Sequence, residues 1–137
     1  MPTKANLVVL IAGIGLMVAA TPLVAHHSFA AEFDASKAVI LKGVVTRIEW
    51  TNPHAHFFID VNDETGTMTN WKFELASPNV LVQQCGWSGK TLHVGDEVTV
   101  EGAMAKDGSK MANARVLTLA DGRRVSAGSS GGDQSPR

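Results

Sequence analysis

The sequence predicts a mainly β domain of five strands, with one short helix between the third and the fourth. Three observations carry that expectation. Residues 54–61 alternate strictly, with Ala55, Phe57, Ile59 and Val61 on one side and His54, His56, Phe58 and Asp60 on the other, which is the period of a strand with one buried face. Segments rich in Gly and Asp separate the apolar runs, as turns between strands require. Ser77-Pro78 and Gly86 bracket the one stretch suited to a helix.

Taken in order, the mature chain begins with an arm over residues 26–38. Phe29 and Phe33 stand four apart there, so they share one helical turn or dock an extended segment onto the domain. Val39 to Trp50 is rich in β-branched and apolar side chains around Gly43, predicting a first strand bent or bulged at that glycine. Thr51-Asn52-Pro53 turns the chain into the second strand, His54 to Val61. After the hairpin loop Asn62–Gly66, Trp71, Phe73 and Leu75 alternate with Asn70, Lys72 and Glu74 in a third strand. Ser77 is suited to cap a helix with Pro78 in its first position, and Gly86 to stop it, so the helix spans Pro78 to Cys85. Val94-Gly95-Asp96 leads into a fourth strand, Glu97 to Gly102, and Lys106-Asp107-Gly108-Ser109 turns the chain again. A last strand runs from Ala112 to Leu119 and is ended by Ala120-Asp121-Gly122-Arg123. The domain so defined covers 39–125, and its interior is expected to be lined by Phe57, Ile59, Trp71, Phe73, Val98 and Val100. Ser126 to Arg137, rich in Ser and Gly with almost no apolar residue, reads as a disordered tail.

Residues 1–25 read as a secretory signal peptide. Lys4 is the lone charge before the apolar run Leu7–Ala20, and Thr21-Pro22-Leu23-Val24-Ala25 approaches a cleavage site. An apolar core this short falls below the roughly 20 residues that span a bilayer. A cut after Ala25 leaves His26 and His27 at the start of the mature chain; a cut after Ala20 is the competing site, because Leu23 is bulky for the third position before the junction. The product is expected in the periplasm or secreted, free of the membrane. Removal of residues 1–25 from 137 leaves 112, in which 11 Lys+Arg face 13 Asp+Glu once Lys4 is gone. That balance argues against nucleic acid as a partner. Cys85 is the only cysteine, so no internal disulfide braces the fold.

Three strands, a short helix and two further strands is the element order of the five-stranded Greek-key barrel of the OB-fold. Leu41-Lys42-Gly43-Val44-Val45 resembles the glycine-bent first strand of such barrels, and Leu92–Gly102 resembles their turn into the fourth strand; both resemble small periplasmic bacterial OB-fold proteins. A β-sandwich or open sheet with one helix is the alternative that the same strand count permits. At a finer level, His26-His27-Ser28-Phe29-Ala30-Ala31-Glu32-Phe33-Asp34, Glu49-Trp50-Thr51-Asn52-Pro53-His54, Ser77-Pro78-Asn79 and Gly86-Trp87 resemble a family of small secreted bacterial proteins of unknown function. That resemblance implies a freestanding envelope protein with recurring histidines at His26-His27 and His54, and it brings no assigned reaction.

The sharpest chemistry in the chain is a histidine metal site. His54 and His56, two apart on a strand, project from one face with Cα atoms about 6.5–7 Å apart. His26, with a free amino group beside its own ring, and His27 would add nitrogen donors, a set that suits Cu(II) or Zn(II) better than Mg or Ca. Each histidine also has a plain reading, as a turn residue, an edge cap or a residue that helps cleavage. Asp60 shares the polar strand face, and Trp50 offers an aromatic surface for a ligand. The chain lacks Gly-x-Ser-x-Gly, His-Glu-x-x-His, a phosphate loop and a dinucleotide fingerprint, which argues against the common enzyme classes. Cys85, at the C-terminal end of its helix, is disfavoured as a thiolate and is expected to pack as a small apolar residue. The expected function is therefore a non-enzymatic periplasmic module that binds a small ligand, with copper or zinc as leading candidates. An envelope interaction or adaptor domain with structural histidines is the alternative.

Overall fold

The computed structural model describes residues 28–128. Within them the chain is mainly β, one sheet of six strands with two short helices. Helix α1, Ser28–Glu32, leads directly into β1, Phe33–Glu49; β2, His56–Asn62, and β3, Met68–Glu74, follow. Helix α2, Pro78–Gln84, separates them from β4, Glu97–Ala105, β5, Met111–Thr118, and β6, Arg124–Ser126. The order across the sheet is β3-β2-β1-β4-β5-β6, and β3 also pairs with β5. The sequential neighbours are antiparallel, whereas the β3–β5 pairing is parallel. None of the described helices is long and apolar enough to cross a membrane.

The alternation read at residues 54–61 sets the core. Phe57, Ile59, Phe73 and Val100 are 0% exposed, Val98 1% and Trp71 7%, so the six expected interior positions are buried. Phe57 and Phe73 stack with ring centroids 5.3 Å apart, a cross-strand pair fixed by their register. Helix α2 closes one side: the Ser77 side chain accepts from the Val80 N–H at 3.3 Å, Pro78 opens the helix, Leu81 is buried, and Gly86 leaves the helix at φ +75°.

Three expectations change. The first strand starts at Phe33, so the described part of the arm expected over 26–38 is one helical turn followed by strand. Its irregularity against β2 falls between Val45 and Arg47, not at Gly43. Gly43 is required for another reason: a Cβ there would collide with the Asp60 carbonyl across the β1–β2 pair. The segment Ala120–Arg123 does not end the sheet but reverses it. Gly122 adopts φ +87°, Leu119 N–H donates to the Arg123 carbonyl at 2.9 Å, and β6 returns along β5 with Leu117 opposite Val125. Ser126 is thus in a strand and Ala127 is 0% exposed, which carries the folded chain past the expected boundary at 125. The expected signal peptide at 1–25, His26, His27 and the tail from residue 129 lie outside the described residues.

Phe57→Ala and Phe73→Ala are each expected to cost about 3–5 kcal/mol, the usual range for removing a fully buried aromatic ring. Urea unfolding checks this; midpoints unchanged in both variants would contradict the strand registers.

Candidate functional site

The turn Thr51-Asn52-Pro53 carries the chain from β1 to β2 and delivers His54 and His56 to one side of the sheet. The Thr51 hydroxyl donates to the His54 carbonyl at 3.1 Å, and the Asn52–Pro53 peptide is cis. Between the two histidines Ala55 is fully buried, its N–H donating to the Ala76 carbonyl at 3.1 Å and its carbonyl accepting from Leu75 N–H at 2.8 Å. That small buried residue fixes its two neighbours on the outer face, as strand alternation demands.

Both histidines meet a residue that the sequence reading did not single out. Glu74 stands opposite His56 in the β2–β3 register, and its carboxylate receives both rings: His54 Nδ1 lies 3.4 Å from Oε1 and His56 Nε2 3.8 Å from Oε2. Glu74 is only 5% exposed. A carboxylate so far removed from water needs close polar partners. Asn113 supplies a third, its Nδ2 donating to Oε1 at 3.4 Å, and is itself 1% exposed. The contact exists because β3 and β5 run in parallel with Glu74 beside Asn113.

One nitrogen of each ring faces the carboxylate, at distances longer than an ordinary N–H···O hydrogen bond. Nε2 of His54 and Nδ1 of His56 remain for another partner. A carboxylate that holds one ring nitrogen fixes the tautomer and orientation of an imidazole whose other nitrogen binds a metal. Burial lowers the His56 pKa below 6.5; Lys72 and His54 lower it further, and Glu74 and Glu49 oppose them. The ring is therefore neutral at pH 7, the form that a metal ligand must have. Among the described residues no group of three or more His, Cys, Asp and Glu side chains is arranged to hold a metal ion, so an ion at this pair needs donors from elsewhere.

The other expected residues fall apart from this cluster. Asp60 lies four residues beyond His56, about 13 Å along the strand, and accepts from Asn70 Nδ2 at 2.8 Å, an amide that also donates to Thr46 Oγ1 at 3.1 Å. Trp50 stacks on Trp87 with centroids 6.3 Å apart. With Ile48, Val82, Ser88, Gly89 and Leu92 the pair lines a cavity of about 310 Å³. Trp87 is anchored by its indole N–H donating to the Ser126 carbonyl at 2.7 Å, whereas Trp50 is 47% exposed. Cys85, partly buried against the core, ends α2. His93 is exposed, 3.5 Å from Asp96.

Glu74 carried a signal for its face but not its position: pairing outward from the expected Asn62–Gly66 loop puts Lys72 across from His56, and the observed register, with Asn62 opposite Met68, moves Glu74 there. Asn113 carried none, since it arrives from a strand 39 residues away in sequence.

The comparisons agree with the resemblance read from the motifs. The model of a family of unknown function, DUF6152, matches residues 13–114, and the chain belongs to that family. No curated protein and no solved structure matches it.

The His56 environment sets a direction for stability. Above pH 6.5 the ring is neutral in both the folded and the unfolded chain. As the pH falls below 6.5 the unfolded chain takes up the proton first, so stability is lost progressively until the folded ring titrates at its lowered value. His56→Gln should flatten the dependence of the urea midpoint on pH from 7.5 down to 5. An unchanged slope would mean that His56 does not contribute it.

Proposed function

We propose that this member of a family without an assigned reaction is a non-enzymatic ligand-binding module of the periplasm that holds Cu(II) or Zn(II) through His54, His56, His26 and His27. The observation that carries the reading is the single buried carboxylate, Glu74, with one nitrogen of each of two histidines at 3.4 and 3.8 Å. Such a carboxylate pre-orients imidazoles at metal centres. Two rings do not complete the shell of a d-block ion, which usually takes four ligands. The amino terminus and rings of His26 and His27 supply the rest when export removes residues 1–25. Imidazole and amine nitrogens favour copper and zinc over the harder cations.

The scaffold we propose is the Greek-key barrel of the OB-fold, with β6 appended. Its support is the parallel β3–β5 pairing, which gives each of β1 to β5 two neighbours, the pattern of a closed ring. Export is supported by the Leu7–Ala20 run and the Ala25-His26 junction. Protein recovered from the periplasm should begin at His26 by mass spectrometry. A start at Thr21 would remove the amino-terminal chelate but keep the location, and an intact chain in the inner membrane would contradict secretion.

A second reading, an envelope interaction domain with structural histidines, draws on one observation: Trp50 and Val82, 47% and 50% exposed, flank the apolar cavity. Calorimetry of the processed, untagged protein with Cu(II) and Zn(II) separates the two. The metal reading expects saturable binding at micromolar concentration, weakened at least about tenfold by His54→Ala and by His56→Ala. A serine inserted before His26 should weaken it as well. Binding should fade below about pH 6.5, where protons compete for the imidazoles. Absence of saturable binding to the wild type would overturn the metal reading in favour of the adaptor.

A further inference from the structure

We infer that the cavity beside Trp50 and Trp87 is a second binding site, shaped for an uncharged, planar, bicyclic molecule. The inference uses none of the histidines and stands apart from the metal reading.

The cavity forms where the end of β1, helix α2 and the loop after α2 meet, with Ile48 from the strand, Val82 from the helix and Ser88 and Gly89 from the loop. Exposure is graded across it. Trp87 and Leu92 are 4% and 8% exposed, whereas Trp50 and Val82 are 47% and 50% exposed. A cavity with a buried floor and an exposed rim can be entered from solvent.

Most of its wall is fixed before anything binds. The Trp87 indole N–H donates to the Ser126 carbonyl at 2.7 Å, and the Trp87 backbone N–H to the Leu81 carbonyl at 3.0 Å. The loop is closed on itself: Ser88 N–H donates to Thr91 Oγ1 at 2.9 Å, and Thr91 N–H returns to the Ser88 carbonyl at 3.1 Å. Trp50 differs. It follows the last residue of β1, belongs to neither apolar core cluster, and leans on Trp87 with the ring planes 30° apart.

Size and chemistry select the ligand. A cavity of about 310 Å³ has about twice the roughly 150 Å³ that accommodates one benzene, and lies at the small end of the range for small-molecule sites. Indole faces favour offset stacking with a flat ring. Among the described residues that line the cavity none is ionisable, so a charged ligand would lose its water without gaining a counter-charge. The Ser88 hydroxyl accepts from the Lys90 N–H at 3.2 Å, and its own proton can serve one acceptor on the ring system. A protein partner fits less well. A stable interface buries about 800 Å² on each side, yet of the exposed large apolar side chains only Trp50 and Val82 line this cavity.

Calorimetric titration of the purified protein with naphthol, an uncharged bicyclic probe, tests this. The wild type should bind it saturably at a single site, and in NMR spectra the indole N–H signals of Trp50 and Trp87 should shift while that of Trp71 stays. Trp50→Ala should weaken binding at least about tenfold, and Trp50→Phe, which keeps a flat ring, should retain most of it. Val82→Trp, which fills the mouth from a half-exposed position, should block it, with urea midpoints close to the wild type in both Trp50→Ala and Val82→Trp. A wild type without saturable binding would overturn the site. So would binding that survives Trp50→Ala and Val82→Trp, which would place the probe elsewhere. Equally tight binding of naphthalenesulfonate would overturn the preference for an uncharged ligand, and equally tight binding of octanol the preference for a flat one. The metal reading stands or falls separately, on the copper and zinc titrations.

Discussion

β1 runs 17 residues and bonds along both edges, and the sheet depends on where it changes partners. It pairs with β4 from Phe33 to Val44 and with β2 from Val44 to Glu49. At the exchange, Gly43 lets the Asp60 carbonyl approach to within the space of a side chain. Gly102 does the same for the Asn113 carbonyl across β4 and β5. Two close approaches thus seat β2, which carries His56, and β5, which carries Asn113. A Cβ at either position would push apart the strands that hold the cluster together.

Glu74 is the cost that this arrangement carries. Burying a carboxylate is unfavourable unless charge or hydrogen bonds offset it, and here the offsetting groups come from three separate segments: the turn before β2, β2 itself and β5. The cluster is consequently a product of tertiary structure, since no one strand supplies two of its partners in register. A structural role explains why Glu74 is paired. The proposed metal site adds a use for the ring nitrogen that each imidazole turns away from the carboxylate.

Much of the fold was legible because its signals are local. Alternation over Ala55–Val61 located the core face, and Ser77, Pro78 and Gly86 bounded the helix to within one residue. The misreadings have physical causes. Phe33–Ala38 includes exposed, polar positions that offer no alternation, so the start of β1 was hidden; pairing with β4, not residue pattern, makes that segment a strand. Gly122 signals a turn whether the chain stops or reverses, and only the contact of Val125 with Leu117 distinguishes the two. At the site, the shared face of His54 and His56 was readable, but Asp60 was grouped with them because alternation gives the face and not the distance along it. The link from Glu74 to Asn113 depends on a parallel pairing between distant strands, for which the residues carry no local mark.

In the proposed site two histidines, facing a buried carboxylate, present their remaining nitrogens to one ion. Anomalous diffraction from crystals of the processed protein loaded with copper tests it most directly. One ion is expected about 2.0–2.1 Å from both Nε2 of His54 and Nδ1 of His56, a normal metal–imidazole distance, with Glu74 facing the rings and not the metal. An ion seated away from this pair, or bound by Glu74 in place of either ring, would contradict it.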